Sequence, residues 1–176
     1  MLSELEGAVL GIVARKQPLT AYAIRKEFHN AVTQSWSASA GAIYPLVRRL
    51  VMDGLLIENS KPNDARKSVL LSISQKGRNH LCAWIKEGDL KTLGPVADPM
   101  RTRGFAFFEL PFEDQINVLQ RWSALTEESI KLTKAQITRF KKEVDETAAA
   151  ATRGTELQLQ ARLQWIAEMI ERVNGS

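Results

Sequence analysis

The chain has 176 residues, 44% of them hydrophobic and 25% charged, a balance that suits one globular domain with an extension or two small domains. Its single cysteine, Cys82, excludes an intramolecular disulfide, and no apolar run is long enough to span a bilayer. The net charge of +4 is unevenly placed: residues 1–90 hold 12 Lys or Arg against 8 Asp or Glu, whereas residues 91–176 hold 12 of each. With no basic leader or cleavage site at its start, the expected location is the cytoplasm.

In chain order, Ser3 and Glu6 form a capping box that opens a first helix, with Leu5, Val9, Ile12 and Val13 at helical spacing. Pro18 ends it. Thr20 caps a second helix expected to turn Tyr22, Ile24 and Phe28 inward. From Ser39 to Leu56 runs a third helical segment with two unlike faces. Steps of 100° put Ile43, Leu46, Val47 and Leu50 on one side and Ser37, Gly41, Tyr44 and Arg48 on the other. The second face offers a hydroxyl, a bare backbone position, a phenol and a guanidinium, groups that approach base edges and phosphates. Arg49 lies at the flank, placed either to touch phosphate or to pair with Asp53. Pro45 and Gly41, four apart, read as a pair that loosens the first turn, unless the helix simply starts late.

Leu55–Asn59 and Val69–Ser74 are short apolar runs around the turn formers Pro62, Asn63 and Asp64, predicting a hairpin whose tip carries Lys61, Arg66 and Lys67. A fourth helix is expected over 75–89, with Leu81, Trp84 and Ile85 on it and Cys82 as a small buried residue. Helix, helix, helix, hairpin is the winged helix-turn-helix order.

Gly94-Pro95 and Asp98-Pro99 mark a linker, after which Asp98 can cap a short helix. Phe105, Phe107, Phe108 and Leu110 make an apolar patch. Ile116, Leu119, Ser123, Thr126, Ile130, Thr133, Ile137, Phe140, Val144, Thr147 and Ala151 follow heptad spacing, with Gly154 expected to end that helix. Thr155 and Gln158 read as a capping box for a last helix bearing Leu159, Leu163, Ile166, Ile170 and Val173. About half of the first seam is Ser, Thr or Ala, so it needs further helices to pack against.

The chemistry of catalysis is sparse. His80 and Cys82, two apart on a helix, point to different sides, and with His29 the only other histidine no metal-ligand spacing arises. No glycine-rich phosphate loop is present, and Glu127-Glu128 and Asp145-Glu146 read as helix-surface carboxylates. The expectation is a non-enzyme without cofactor or metal.

Ser39, Gly41, Ile43, Tyr44, Pro45, Leu46, Arg49, Leu50, Gly54 and Leu55, together with Tyr22, Ile24, Phe28, Trp36 and the segment SISQKGRNHLCAWI, resemble the PadR-type transcriptional regulators. Ala21, Ser74 and Leu71 depart from that pattern. The resemblance spans the first 90 residues closely and the remainder in pattern and length. It implies a mainly α (α+β) fold, with a winged helix-turn-helix DNA-binding domain over 1–90 and a C-terminal helical dimerisation hairpin over 91–176. It further implies a homodimeric repressor of an inverted-repeat operator. DNA contacts are expected from Ser37, Ser39, Gly41, Tyr44, Arg48 and Arg49 on and before the third helix, and from Lys61, Arg66 and Lys67, three cations in one short loop. A small aromatic or phenolic effector would meet Phe105, Phe108, Trp122 and Trp165, rings that packing alone also explains. The alternative is a winged-helix scaffold that binds proteins and not DNA.

Overall fold

Ser3 opens the first helix as expected: its hydroxyl accepts from the Glu6 N–H, and the Glu6 carboxylate accepts from the Ser3 N–H at 2.8 Å. This helix, α1 (Glu4–Lys16), leads through Thr20, which caps α2 (Ala21–His29). The computed structural model describes residues 2–30, 39–60, 69–89, 93–95 and 97–175. A 3-10 turn (Ser39–Ala42) precedes α3 (Ile43–Met52); then come β1 (Leu56–Ser60), β2 (Val69–Ile73) and α4 (Gln75–Lys86). The chain divides into two compact units, Met1–Pro95 and Val96–Ser176.

In the first unit, β1 and β2 pair antiparallel from Leu56↔Ile73 to Ser60↔Val69. Leu19 adds one rung on the other side of β2, exchanging both backbone hydrogen bonds with Leu71 at 2.7 and 3.0 Å. Leu71 is accordingly buried. The core gathers Val9, Leu10 and Val13 of α1, Ile24 and Phe28 of α2, Ile43 and Leu50 of α3, and Leu71, all at most 2% exposed. Gly54, in the left-handed region at φ +70°, ends α3: the Leu55 N–H reaches back to the Leu50 carbonyl and that of Gly54 to Val51.

Three expectations for this unit change. Tyr22 is 62% exposed, because Ile24 and Phe28 already fill the buried side of α2. Cys82 is exposed, as is Ile85, because α4 meets α1 through Trp84, whose ring lies over Gly7. There a Cβ on Gly7 would come within 2.6 Å of the indole. The fourth helix also ends at Lys86, not at residue 89.

The second unit holds α5 (Pro99–Gly104), a 3-10 turn (Phe107–Glu109), α6 (Phe112–Lys142) and α7 (Glu146–Asn174). Asp98 caps α5, accepting from Met100 N–H at 2.9 Å, and binds the Arg162 guanidinium at 2.7 Å. α6 and α7 form a hairpin along the predicted seam, in which Leu119, Thr126, Thr133 and Phe140 are buried. Apolar clusters close its two ends, one around Leu119, Ile166 and Val173 and the other around Phe140, Ala148 and Ala149. The middle is polar. Thr126 and Thr133 return their hydroxyls to the carbonyls four residues back, and buried Glu156 is paired by Arg153 and Lys134.

The hairpin turns at 143–145, not at Gly154. Val144 takes the left-handed position (φ +57°) where glycine is the usual signal, the Asp145 N–H reaches back to the Phe140 carbonyl, and the Asp145 carboxylate caps α7 through the Ala148 N–H. Asp145 is therefore a cap and not a bare surface charge. Gly154, Thr155 and Gln158 all lie inside α7, so that pair of polar residues caps nothing.

Burial raises the Asp98 pKa, but Arg162 and the N–H groups of Met100 and Arg101 outweigh it and leave the carboxyl below its ordinary value. A depressed carboxylate stabilises the fold above its unfolded pKa, and this contribution is lost as pH falls through the folded one. Chemical denaturation across an acid series is expected to show the second unit weakening below about pH 4, in line with the ordinary aspartate range. Asp98→Asn is expected to be less stable at neutral pH and to flatten that dependence; an unchanged acid limb would remove Asp98 from it.

Candidate nucleic-acid interface

α3 separates its faces as its sequence dictates. Ile43, Leu46, Val47 and Leu50 are at most 5% exposed, while Tyr44 is 43% exposed and Gly41, Pro45 and Arg48 are exposed. Pro45 is the third residue of the α-helix, where first-turn N–H groups lack intrahelical partners, so the ring sits without breaking a ladder. The 3-10 turn before it is the late start that the Gly41 and Pro45 spacing allowed. Gly41 has no atom within 4 Å of where a Cβ would stand, leaving its backbone open to an approaching group.

Arg49 does not pair with Asp53. Its guanidinium reaches the Glu6 carboxylate at 2.7 Å, joining the start of α1 to the middle of α3. The Glu6 pKa is lowered, chiefly by the Ser3 backbone hydrogen bond and, against the opposing effect of burial, by the Ser3 hydroxyl and Arg49. One carboxylate thus caps α1 and fixes the flank of α3. The pairing spans 43 residues, so spacing along one helix could not reveal it. Its only sequence signal is an acid already committed to a capping box.

Ser39 opens the 3-10 turn, whereas Trp36, Ser37, Lys61, Arg66 and Lys67 lie outside the described residues. Tyr44 and Arg48 remain together on one exposed face of α3. This face presents a hydroxyl and a forked cation above a rigid apolar base, the chemistry that hydrogen-bonds to base edges and phosphate oxygens.

In the second unit the aromatic residues converge more selectively than their sequence positions suggest. Trp122 and Trp165 stack with centroids 6.1 Å apart, Phe107 leans on Trp122 at 5.8 Å, and Phe108 meets Phe107 edge-on at 5.4 Å. Phe107, one residue of the predicted apolar patch, is the buried centre of this group at 2% exposed. Phe105 stands 88% exposed and makes no ring contact in it.

Residues 9–83, most of the first unit, match the transcriptional regulator PadR-like family. Over this segment the chain is similar to the PadR-like family. PadR-like regulators of known structure share the fold over nearly the full length. Bacillus subtilis PadR in complex with operator DNA superposes with a TM-score of 0.81 at 15% identity, covering 97% of this chain and 99% of that one. The same protein in complex with p-coumaric acid gives 0.62 at 18% identity, with coverage of 97% and 98%. The Vibrio cholerae virulence activator AphA gives 0.68 at 19%, with coverage of 98% and 99%. At these identities the likeness is one of fold: a winged helix followed by a long helical region. No curated protein sequence matches the chain. The family is one of transcriptional regulators and not of enzymes. No helix among the described residues is long and apolar enough to cross a membrane.

Proposed function

We propose that this PadR-like protein is a cytoplasmic repressor that binds an inverted-repeat operator as a homodimer, one α3 from each copy entering the major groove. The observation that carries the reading is the exposed pair Tyr44 and Arg48 on a helix whose opposite face is fully buried. Residues 1–90 then read DNA, with Lys61, Arg66 and Lys67 gripping phosphates beside the groove, and residues 91–176 pair the copies. Leu125 and Leu132, seven residues apart on α6, and Leu157 on α7 are each at least half exposed in one chain, an apolar surface suited to a second copy. Arg49, held by Glu6, acts mainly by fixing the angle of α3.

An aromatic effector is proposed at the Trp122 and Trp165 pair with Phe108 at its edge; Phe105 would join only from outside the group. B. subtilis PadR in complex with p-coumaric acid supports that ligand class.

Fluorescence anisotropy with duplexes from upstream of its own gene, against a random duplex of equal length, tests the reading. Specific binding is expected, with a log-log salt slope of about 0.9 per phosphate neutralised. Tyr44→Ala is expected to lower the preference for the operator by about 1–3 kcal/mol while thermal unfolding stays unchanged. Failure to prefer any upstream duplex would overturn the proposal and favour a protein-binding scaffold. Titrating phenolic acids while following tryptophan fluorescence and operator release tests the effector, which fails if neither signal moves.

A further inference from the structure

Arg48 and Arg49 are adjacent on α3, yet the fold leaves one cation open and cancels the other. Among the described residues Arg48 is exposed with no ion-pair partner, whereas Arg49 is bound to Glu6 at 2.7 Å. The two sides of that pair are unequal. The Glu6 side chain is 17% exposed and the Arg49 side chain 59%. One Glu6 oxygen accepts from the N–H and the hydroxyl of Ser3, at 2.8 and 3.0 Å, and the other accepts from Arg49. The carboxylate is therefore fixed, and the long, open arginine side chain is the partner free to leave.

A guanidinium at the flank of a helix that enters a major groove lies beside the phosphates lining that groove. Unpaired, it would be drawn to any duplex, because attraction to phosphate carries no sequence information. Paired with Glu6, it adds no net charge to that attraction. The carboxylate stays ionised at neutral pH, its pKa lowered chiefly by the Ser3 N–H. The same bond ties α3 to the first turn of α1. A complex that reads bases needs that fixed register; a non-specific one, held by phosphates alone, does not.

We propose that Glu6 is a specificity-determining residue that does not itself touch DNA: an internal counter-ion that withholds Arg49 from phosphates and keeps it in the frame that positions α3. Without the carboxylate, the protein binds random duplex more tightly, depends more steeply on salt and prefers its operator less. The assignment rests on the DNA-binding reading above and deepens it, giving the selectivity of α3 a determinant on a different helix.

The test uses the full chain, an operator duplex and a random duplex of equal length, each titrated over a salt series. Glu6→Gln removes the charge and keeps the cap, because glutamine serves in a capping box as glutamate does. On random duplex it is expected to raise the magnitude of the log-log salt slope by about 0.9, the released Arg49 neutralising one phosphate. Affinity for that duplex should rise several-fold at low salt, and the operator-to-random ratio should fall. Adding Arg49→Gln to Glu6→Gln should return the slope to the parent value while the ratio stays low. Arg49→Gln alone should keep the parent slope and also lower the ratio. A role in folding alone would lower the ratio in all three variants and raise the slope in none, so the slope decides. The proposal is overturned by a Glu6→Gln slope equal to or below that of the parent, by a raised slope that Arg49→Gln does not reverse, or by a ratio that does not fall. It is also overturned if Arg49→Gln alone lowers the slope by about 0.9, since Arg49 would then already sit on a phosphate. If the parent chain prefers no duplex, the DNA reading itself falls. If Tyr44→Ala loses operator preference while Glu6→Gln behaves as the parent, only the Glu6 assignment falls.

Discussion

Gly77→Ala is expected to destabilise the N-terminal unit severely, near or beyond the upper end of the ~1–3 kcal/mol that overpacking usually costs. Gly77 lies in the first turn of α4, where Ser74 caps the helix by accepting from the Gly77 N–H at 2.9 Å. An added Cβ would collide with the Leu55 carbonyl oxygen and stand 2.9 Å from Ile73 Cγ1. The same carbonyl accepts from the Ser74 N–H at 3.0 Å, so moving it breaks the junction between β1 and the start of α4. Backbone cannot swing aside as a side-chain end can. Alanine's helix propensity returns only about 1 kcal/mol, too little to reverse the sign. Gly154→Ala is the contrasting case: nothing lies within 4 Å of its Cβ position inside α7, so the same change should stabilise by up to about 1 kcal/mol. Urea denaturation of both variants measures the pair. A Gly77→Ala chain as stable as the parent would mean that α4 and β1 are not packed this closely.

Phe107→Ala is expected to cost the second unit about 3–5 kcal/mol, the range for removing a buried phenylalanine. Its ring is 2% exposed, joins the cluster of Leu119, Ile166, Met169 and Val173, and supports Trp122. Its loss should leave a cavity beside the two stacked tryptophans, so the emission of Trp122 and Trp165 is expected to shift along with the denaturation midpoint. Phe108→Ala, at a ring 56% exposed, should cost much less. Equal losses from the two variants would show that Phe107 is not the centre of the cluster.

The local grammar of the chain was readable wherever a signal and its consequence lie within a few residues. Ser3, Thr20 and Asp98 cap the helices that they were expected to cap, and the apolar set Ile43, Leu46, Val47 and Leu50 is the buried face of α3. The heptad seam from Ile116 to Phe140 is likewise the side that α6 turns inward. The reading failed at the hairpin turn because the seam's spacing runs on through Val144, Thr147 and Ala151 without a break. The turn uses a valine where glycine is the common marker, and the nearest glycine lies ten residues away inside α7. It failed at Tyr22 and Cys82 because hydropathy says what a residue tolerates, not whether a neighbour arrives to cover it. For the candidate site, Tyr44 and Arg48 were legible from helical phase alone, whereas the attachment of Arg49 to Glu6 was not.

By itself, then, the sequence determined the order of helices and hairpin, the phase of each amphipathic helix and the two-part division of charge, because these depend on periodicity and on caps within one turn. Only the tertiary structure decided that Arg49 is held by Glu6, that Leu19 joins β2 through Leu71, that Phe107 and not Phe105 lies at the centre of the aromatic cluster, and that α6 ends at Lys142. Each of these depends on which distant groups come within contact distance once the core closes. A charge, an unpaired strand edge or an aromatic ring has many chemically equivalent partners along the chain, and packing selects one of them.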